Sequence, residues 1–124
     1  MPVLLAVALG GALGSVGRYS LDRLIEHRAD SLFPWATFTI NMTGCLLIGI
    51  VIAALVDRDH TPAWLRVGLV MGVLGGYTTF STFAQETLDL VQEGRIGIAA
   101  VYSLGSLALG VTAAYAGMLI GRTF

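Results

Sequence analysis

Three long stretches of this chain carry no charged side chain: 26 residues between Asp30 and Asp57, 19 between Arg66 and Glu86, and 26 between Arg95 and Arg122. A helix needs about 20 residues to cross roughly 30 Å of hydrocarbon, so each stretch is long enough, or nearly so, to span a membrane. A fourth candidate runs from Pro2 to about Leu21, with Arg18 and Tyr19 near its far end. A secretory signal would place positive charge ahead of its apolar run, whereas the first arginine here is Arg18, so the segment reads as a span. Composition agrees: of 124 residues 56% are apolar and 12% charged, with a mean hydropathy of +0.80. A soluble domain carries about 25% charged residues, so most soluble enzymes are excluded, and the hydropathy excludes a disordered chain. The seven basic residues are all arginine and nearly cancel eight acidic ones, leaving no electrostatic footprint for nucleic acid. Cys45 is the single cysteine, which rules out an intrachain disulfide and a thiolate metal cluster.

The expected architecture is an all-α membrane protein, one transmembrane domain over residues 1–124 with four helices at roughly 2–25, 33–56, 67–85 and 96–121. The connections are short and polar, and the segment from Glu86 to Arg95 is expected to prolong the third helix. Tyr19, Phe33, Trp35 and Trp64 fall near the helix ends, where amphipathic rings anchor in the headgroup region. Arginines ordinarily fix orientation, but here they balance. Arg58, Arg66 and Arg122 share one side and Arg23, Arg28 and Arg95 the other, and adding Arg18 to one and the α-amino group to the other keeps the balance. A chain without a preferred orientation can form an antiparallel homodimer about a two-fold axis in the membrane plane; chance balance among so few charges is the alternative.

Small residues recur every fourth position, as in Gly10 and Gly14, Gly68, Gly72 and Gly76, Ser106, Gly110 and Ala114, and Gly117 and Gly121. Such faces bring helix backbones close together in lipid. Asn41 shares a face of the second span with Thr37 and Gly44. An unpaired amide in hydrocarbon costs several kcal/mol (on the order of 2–7), so Asn41 either joins two helices or faces a wet cavity. In the third span, Gly75-Gly76-Tyr77-Thr78-Thr79-Phe80-Ser81-Thr82-Phe83 is poor material for a continuous helix. A break there would free backbone carbonyls able to coordinate a cation, unless Thr78 and Thr79 hydroxyls cap them. Phe80 and Phe83 share a helix face. They are either core or lipid contacts, or they present electropositive ring edges to a small anion. Tyr102, Ser106 and Thr112 add hydroxyls in the fourth span, although such groups often bond their own backbone.

The run Gly14-Ser15-Val16-Gly17-Arg18-Tyr19, then Pro34-Trp35-Ala36-Thr37 leading to Asn41-Met42-Thr43-Gly44, then Gly75 to Phe83, resembles the Fluc/CrcB fluoride channels in span count and motif order along essentially the whole chain. The resemblance implies a dual-topology homodimer in a bacterial inner membrane, with two antiparallel fluoride pores lined by both subunits. It implies that Phe80 and Phe83 contact fluoride through ring edges and that Asn41 donates an amide hydrogen. A structural sodium ion on the dimer axis would be held by the carbonyls of Gly75 and Thr78 from each subunit. Arg18 would stand at the aqueous vestibule, Glu86 just beyond the second pore phenylalanine, and Tyr102 and Ser106 on a polar track. Gly110 falls where some members have a hydroxyl, with Thr112 as a substitute from another angle.

Fluoride is small and strongly hydrated, so a pore must replace its water with dense donors yet release it. Neutral hydroxyls, an amide and ring edges avoid the trap that a buried arginine would create. Transport would be passive, relieving fluoride accumulated in the cytoplasm. A small proton-coupled multidrug or guanidinium exporter is the rival reading. It needs an ionisable group within the membrane, yet residues 1–17 hold none and Glu86 reads as interfacial beside Asp89 and Glu93. A non-transporting membrane subunit would explain the glycine faces but neither the polar third span nor Asn41. No catalytic constellation is visible: His27 and His60 are isolated.

Overall fold

The computed structural model describes the whole chain, Met1–Phe124, and every regular element in it is helical. Each of the chain's three prolines stands immediately before a helix. A proline lacks the N–H that a helix start leaves unpaired anyway, while its carbonyl is free to take the first helical bond. Pro2 O accepts from Ala6 N at 3.1 Å, Pro34 O from Phe38 N at 3.0 Å and Pro62 O from Arg66 N at 3.1 Å.

Helix α1 is Val3–Arg28. Helix α2 is Trp35–Val51, prolonged by wider π-helical turns over Ile52–Val56. The third crossing is in two parts. Its first part, α3, runs over residues 63–77 as Ala63–Val67, a π-helical stretch Gly68–Leu74 and a last turn Gly75–Tyr77. Its second part, α4, is Phe80–Gln92, and α5, Ile96–Gly121, is the fourth crossing. The expected break therefore exists, at Thr78–Thr79, with both glycines still helical. The segment after Glu86 does prolong the third helix, as far as Gln92. That helix ends in a Schellman turn: Gly94 has φ +76°, Arg95 N bonds Leu90 O at 2.8 Å and Gly94 N bonds Val91 O at 3.0 Å.

Four helices are long and apolar enough to cross a membrane: Val3–Arg28, Trp35–Val56, Ala63–Gln92 and Ile96–Gly121. The first and third exceed the expected spans because amphipathic turns with charged residues continue the helix beyond the apolar run. α1 packs on α3, and α2 on α5, through the small-residue faces. A Cβ on Gly10 would lie 2.5 Å from Gly68 O, and one on Gly76 2.7 Å from Gly11 O. Gly117 and Gly49 likewise let α5 and α2 touch backbone to backbone, at Leu46 and Ala114. Only 18 of 124 residues are buried, too few for a water-soluble core, and leucines such as Leu4, Leu13, Leu104 and Leu107 face outward. Lipid or another chain must cover them.

Candidate functional site

The break is tied down by side chains from the neighbouring helices. Thr78 (φ −82°, ψ 160°) and Thr79 (φ −150°, ψ 118°) are extended. Thr79 N donates to Asn41 Oδ1 at 2.9 Å, while Asn41 Nδ2 donates to Thr79 O at 2.9 Å. One amide side chain thus replaces both helical partners of one peptide residue. In an unbroken helix the Thr79 N–H would bond Gly75 O, and the Thr82 N–H would bond Thr78 O. The first is diverted to Asn41 and the second to Thr79 Oγ1, at 3.3 Å, as the N-cap of α4. Gly75 and Thr78 therefore lose the donors a helix would give their carbonyls. Oxygen donors of this kind suit a hard cation. The Thr78 hydroxyl does cap a carbonyl, but it is that of Leu74, at 2.8 Å, which already holds Thr78 N at 3.0 Å. Gly76 O is taken by Arg18 Nε at 3.1 Å.

Beside the break lies an open-sided cavity of about 740 Å³. Its wall brings together Asn41, Gly75, Thr78, Phe80, Phe83 and Ser106, residues from α2, both halves of the third crossing and α5, and no charged side chain lines it. The polar groups on the wall are an amide, hydroxyls and backbone. Asn41 has a second amide N–H beyond the one given to Thr79, and Ser106 Oγ is buried without a partner. The rings of Phe80 and Phe83 are 5.8 Å apart and tilted by 45°, and Phe80 is 79% exposed, so its ring stands free in the groove.

Tyr102 is placed differently from Ser106. It is fully buried behind Phe83, rings 5.1 Å apart, and its hydroxyl donates to Glu86 Oε1 at 3.3 Å. Glu86 thus turns inward to a partner instead of standing only among the interfacial acids. Phe33 meets the Tyr102 ring edge-on at 5.3 Å and Trp35 at 4.5 Å, which ties this aromatic end of α2 to α5. In α5, Thr112 returns its hydroxyl to Ala108 O at 2.8 Å. Gly110 is buried where a Cβ would come within 3.4 Å of Cys45 Sγ and Met42 Cε. Neither lines the cavity.

Arg18 lies on a second, polar cavity of about 250 Å³, with Ser15, Tyr19, Asp22, Thr37 and Thr79 among its walls. Thr79 lines both cavities, so the Asn41–Thr79 clamp stands between them. Ser15, Asp22 and Thr79 join the site only in the structure. The signal for the first two is present in retrospect: positions 15, 18, 19 and 22 make a polar stripe at helical spacing on α1.

The fold and site define a multi-pass membrane protein whose third helix is broken beside an uncharged, largely apolar groove that carries a few polar groups. The chain belongs to the CrcB family, described as CrcB-like protein, Camphor Resistance, whose model matches residues 5–118. It is 48% identical over 117 residues to the fluoride-specific ion channel FluC of Acidobacterium capsulatum, covering 94% of this chain and 93% of that one. It is 47% identical over 119 residues to FluC of Nitrobacter winogradskyi, covering 96% and 94%. FluC of Flavobacterium psychrophilum is 40% identical over 122 residues, covering 98% of each chain.

Proposed function

We infer that this chain is a passive fluoride-selective channel that relieves fluoride toxicity in a bacterial plasma membrane. Relatives named for fluoride conduction match nearly the whole chain, and they support this function over proton-coupled export. The observation that carries the reading is the cavity beside the break: Asn41, Phe80, Phe83 and Ser106 share its wall, and no charge lines it. Donors without formal charge can replace the hydration of a small anion and still let it leave. The second N–H of Asn41, the free hydroxyl of Ser106 and the edges of Phe80 and Phe83 would take the ion in turn. Arg18 in the polar cavity on the far side of Thr79 would raise anion concentration at the vestibule. Tyr102, stacked on Phe83, would hold that ring and extend the polar track toward Glu86.

The working unit is an antiparallel homodimer with two pores. Two features support this: the arginine balance and a groove whose Asn41 and Thr79 would otherwise face hydrocarbon along its open side. A second copy would cover that side. The carbonyls of Gly75 and Thr78 from both subunits would hold a structural sodium ion, which when bound supplies fixed positive potential and joins the subunits.

Fluoride and chloride efflux from proteoliposomes holding only the purified protein, under a potassium–valinomycin clamp, tests the function. Rapid fluoride loss with chloride retained is expected. No fluoride loss from verified dimers would overturn it.

A further inference from the structure

Three residues near the middle of α2 meet the three residues around the break one for one. Asn41 clamps the Thr79 backbone at 2.9 Å. Gly44 leaves room for the Thr78 methyl, where any Cβ would collide with Thr78 Cγ2. Thr43 Oγ1 lies 2.8 Å from the Tyr77 hydroxyl. The Tyr77 ring is lodged between two glycines: a Cβ on Gly44 would lie 3.6 Å from its Cδ1, and one on Gly17 4.0 Å from its Cδ2.

The direction of the Thr43–Tyr77 bond follows from counting protons. Thr43 Oγ1 also lies 2.8 Å from Thr39 O and 3.1 Å from Ile40 O. Carbonyl oxygens only accept, so the single threonine proton goes to them and the Tyr77 O–H is the donor to Thr43. A tyrosine side chain has two rotatable bonds before its rigid ring, so fixing the ring tip restricts the backbone it grows from. That backbone is the last turn of α3, between Gly75 and Thr78.

We propose that Tyr77 and Thr43 form a latch that positions the break, so that the Gly75 and Thr78 carbonyls keep the orientation in which they hold a cation. The two are positioning residues. Neither lines the 740 Å³ cavity, and the latch acts through the peptide units beside it. This rests on the reading of Gly75 and Thr78 as cation ligands, and the test separates the two.

Purified full-length protein is melted across a series of sodium concentrations, with choline keeping ionic strength constant, for wild type, Tyr77→Phe, Thr43→Val, Thr43→Ser and the Tyr77→Phe/Thr43→Val double variant. Fluoride efflux from proteoliposomes is measured on the same set. Tyr77→Phe and Thr43→Val should each raise the sodium concentration for half-maximal stabilisation by about two- to tenfold, the scale of one net hydrogen bond. The double variant should shift no further than either single one, and Thr43→Ser should match wild type. A uniform loss of melting temperature with an unmoved sodium midpoint would reduce the pair to ordinary packing and overturn the latch. If wild type shows no sodium dependence, the cation reading falls and efflux decides. Equal, non-additive slowing rescued in Thr43→Ser would sustain positioning of the break, and wild-type rates in Tyr77→Phe and Thr43→Val would overturn it.

Discussion

Asn41 uses its acceptor and one of its two donors on the Thr79 peptide, which determines what its replacement does. Asn41→Asp keeps an acceptor for the Thr79 N–H but sets a carboxylate oxygen against the Thr79 carbonyl, and it places negative charge on the anion path. Fluoride efflux should be lost and unfolding stability should fall by about 1–3 kcal/mol, the cost of leaving a buried polar group unpaired. Denaturant titration and efflux on one preparation check both, and wild-type efflux would remove Asn41 from the path. Phe80 and Phe83 differ from Asn41 in offering ring edges to the groove, Phe80 largely exposed and Phe83 also packed against Tyr102. Phe80→Ile or Phe83→Ile should cut fluoride efflux by about tenfold or more while leaving the subunits associated on size exclusion, since an aliphatic side chain lacks the electropositive edge. Unchanged flux in both would discard the ring-edge mechanism.

Between elements, packing rests on glycines at which no side chain fits. A Cβ on Gly14 would fall on the Val73 carbonyl, whereas a Cβ on Gly11 meets nothing within 4 Å. Gly14→Ala should therefore lower stability by about 1–3 kcal/mol through overpacking, while Gly11→Ala should be neutral or stabilise by up to about 1 kcal/mol through helix propensity. Thermal melts of the two variants compare them directly, and equal effects would contradict the α1–α3 contact.

Much of this was legible from the chain. The charge-free runs mark the spans because only apolar helices of that length suit lipid, and the Gly-Gly-Tyr-Thr-Thr run marks the break. Its position was less legible: Gly75 and Gly76 remain helical, and the chain parts at Thr78–Thr79 because Asn41, from a distant part of the sequence, satisfies the Thr79 peptide. The π-helical turns over Gly68–Leu74 leave no pattern that local propensity reads. Phe33 reads as an interfacial anchor, yet it meets buried Tyr102 edge-on, because residue type and place near a helix end do not reveal which ring is opposite.

For the whole molecule, the three short connections and the two termini leave orientation to the arginines, and these balance. Adding several Lys or Arg to the loops of one side should bias insertion. Such a variant alone should give no fluoride efflux, and coexpression with its opposite should restore it; full activity of one strongly biased variant would contradict antiparallel assembly. The central claim, passive and selective fluoride conduction, is tested most directly by the reversal potential of the purified protein in a planar bilayer with a fluoride gradient, equal chloride, and an imposed pH difference. The account predicts reversal at the fluoride equilibrium potential, unmoved by the pH difference. Reversal that follows chloride or the proton gradient would contradict it.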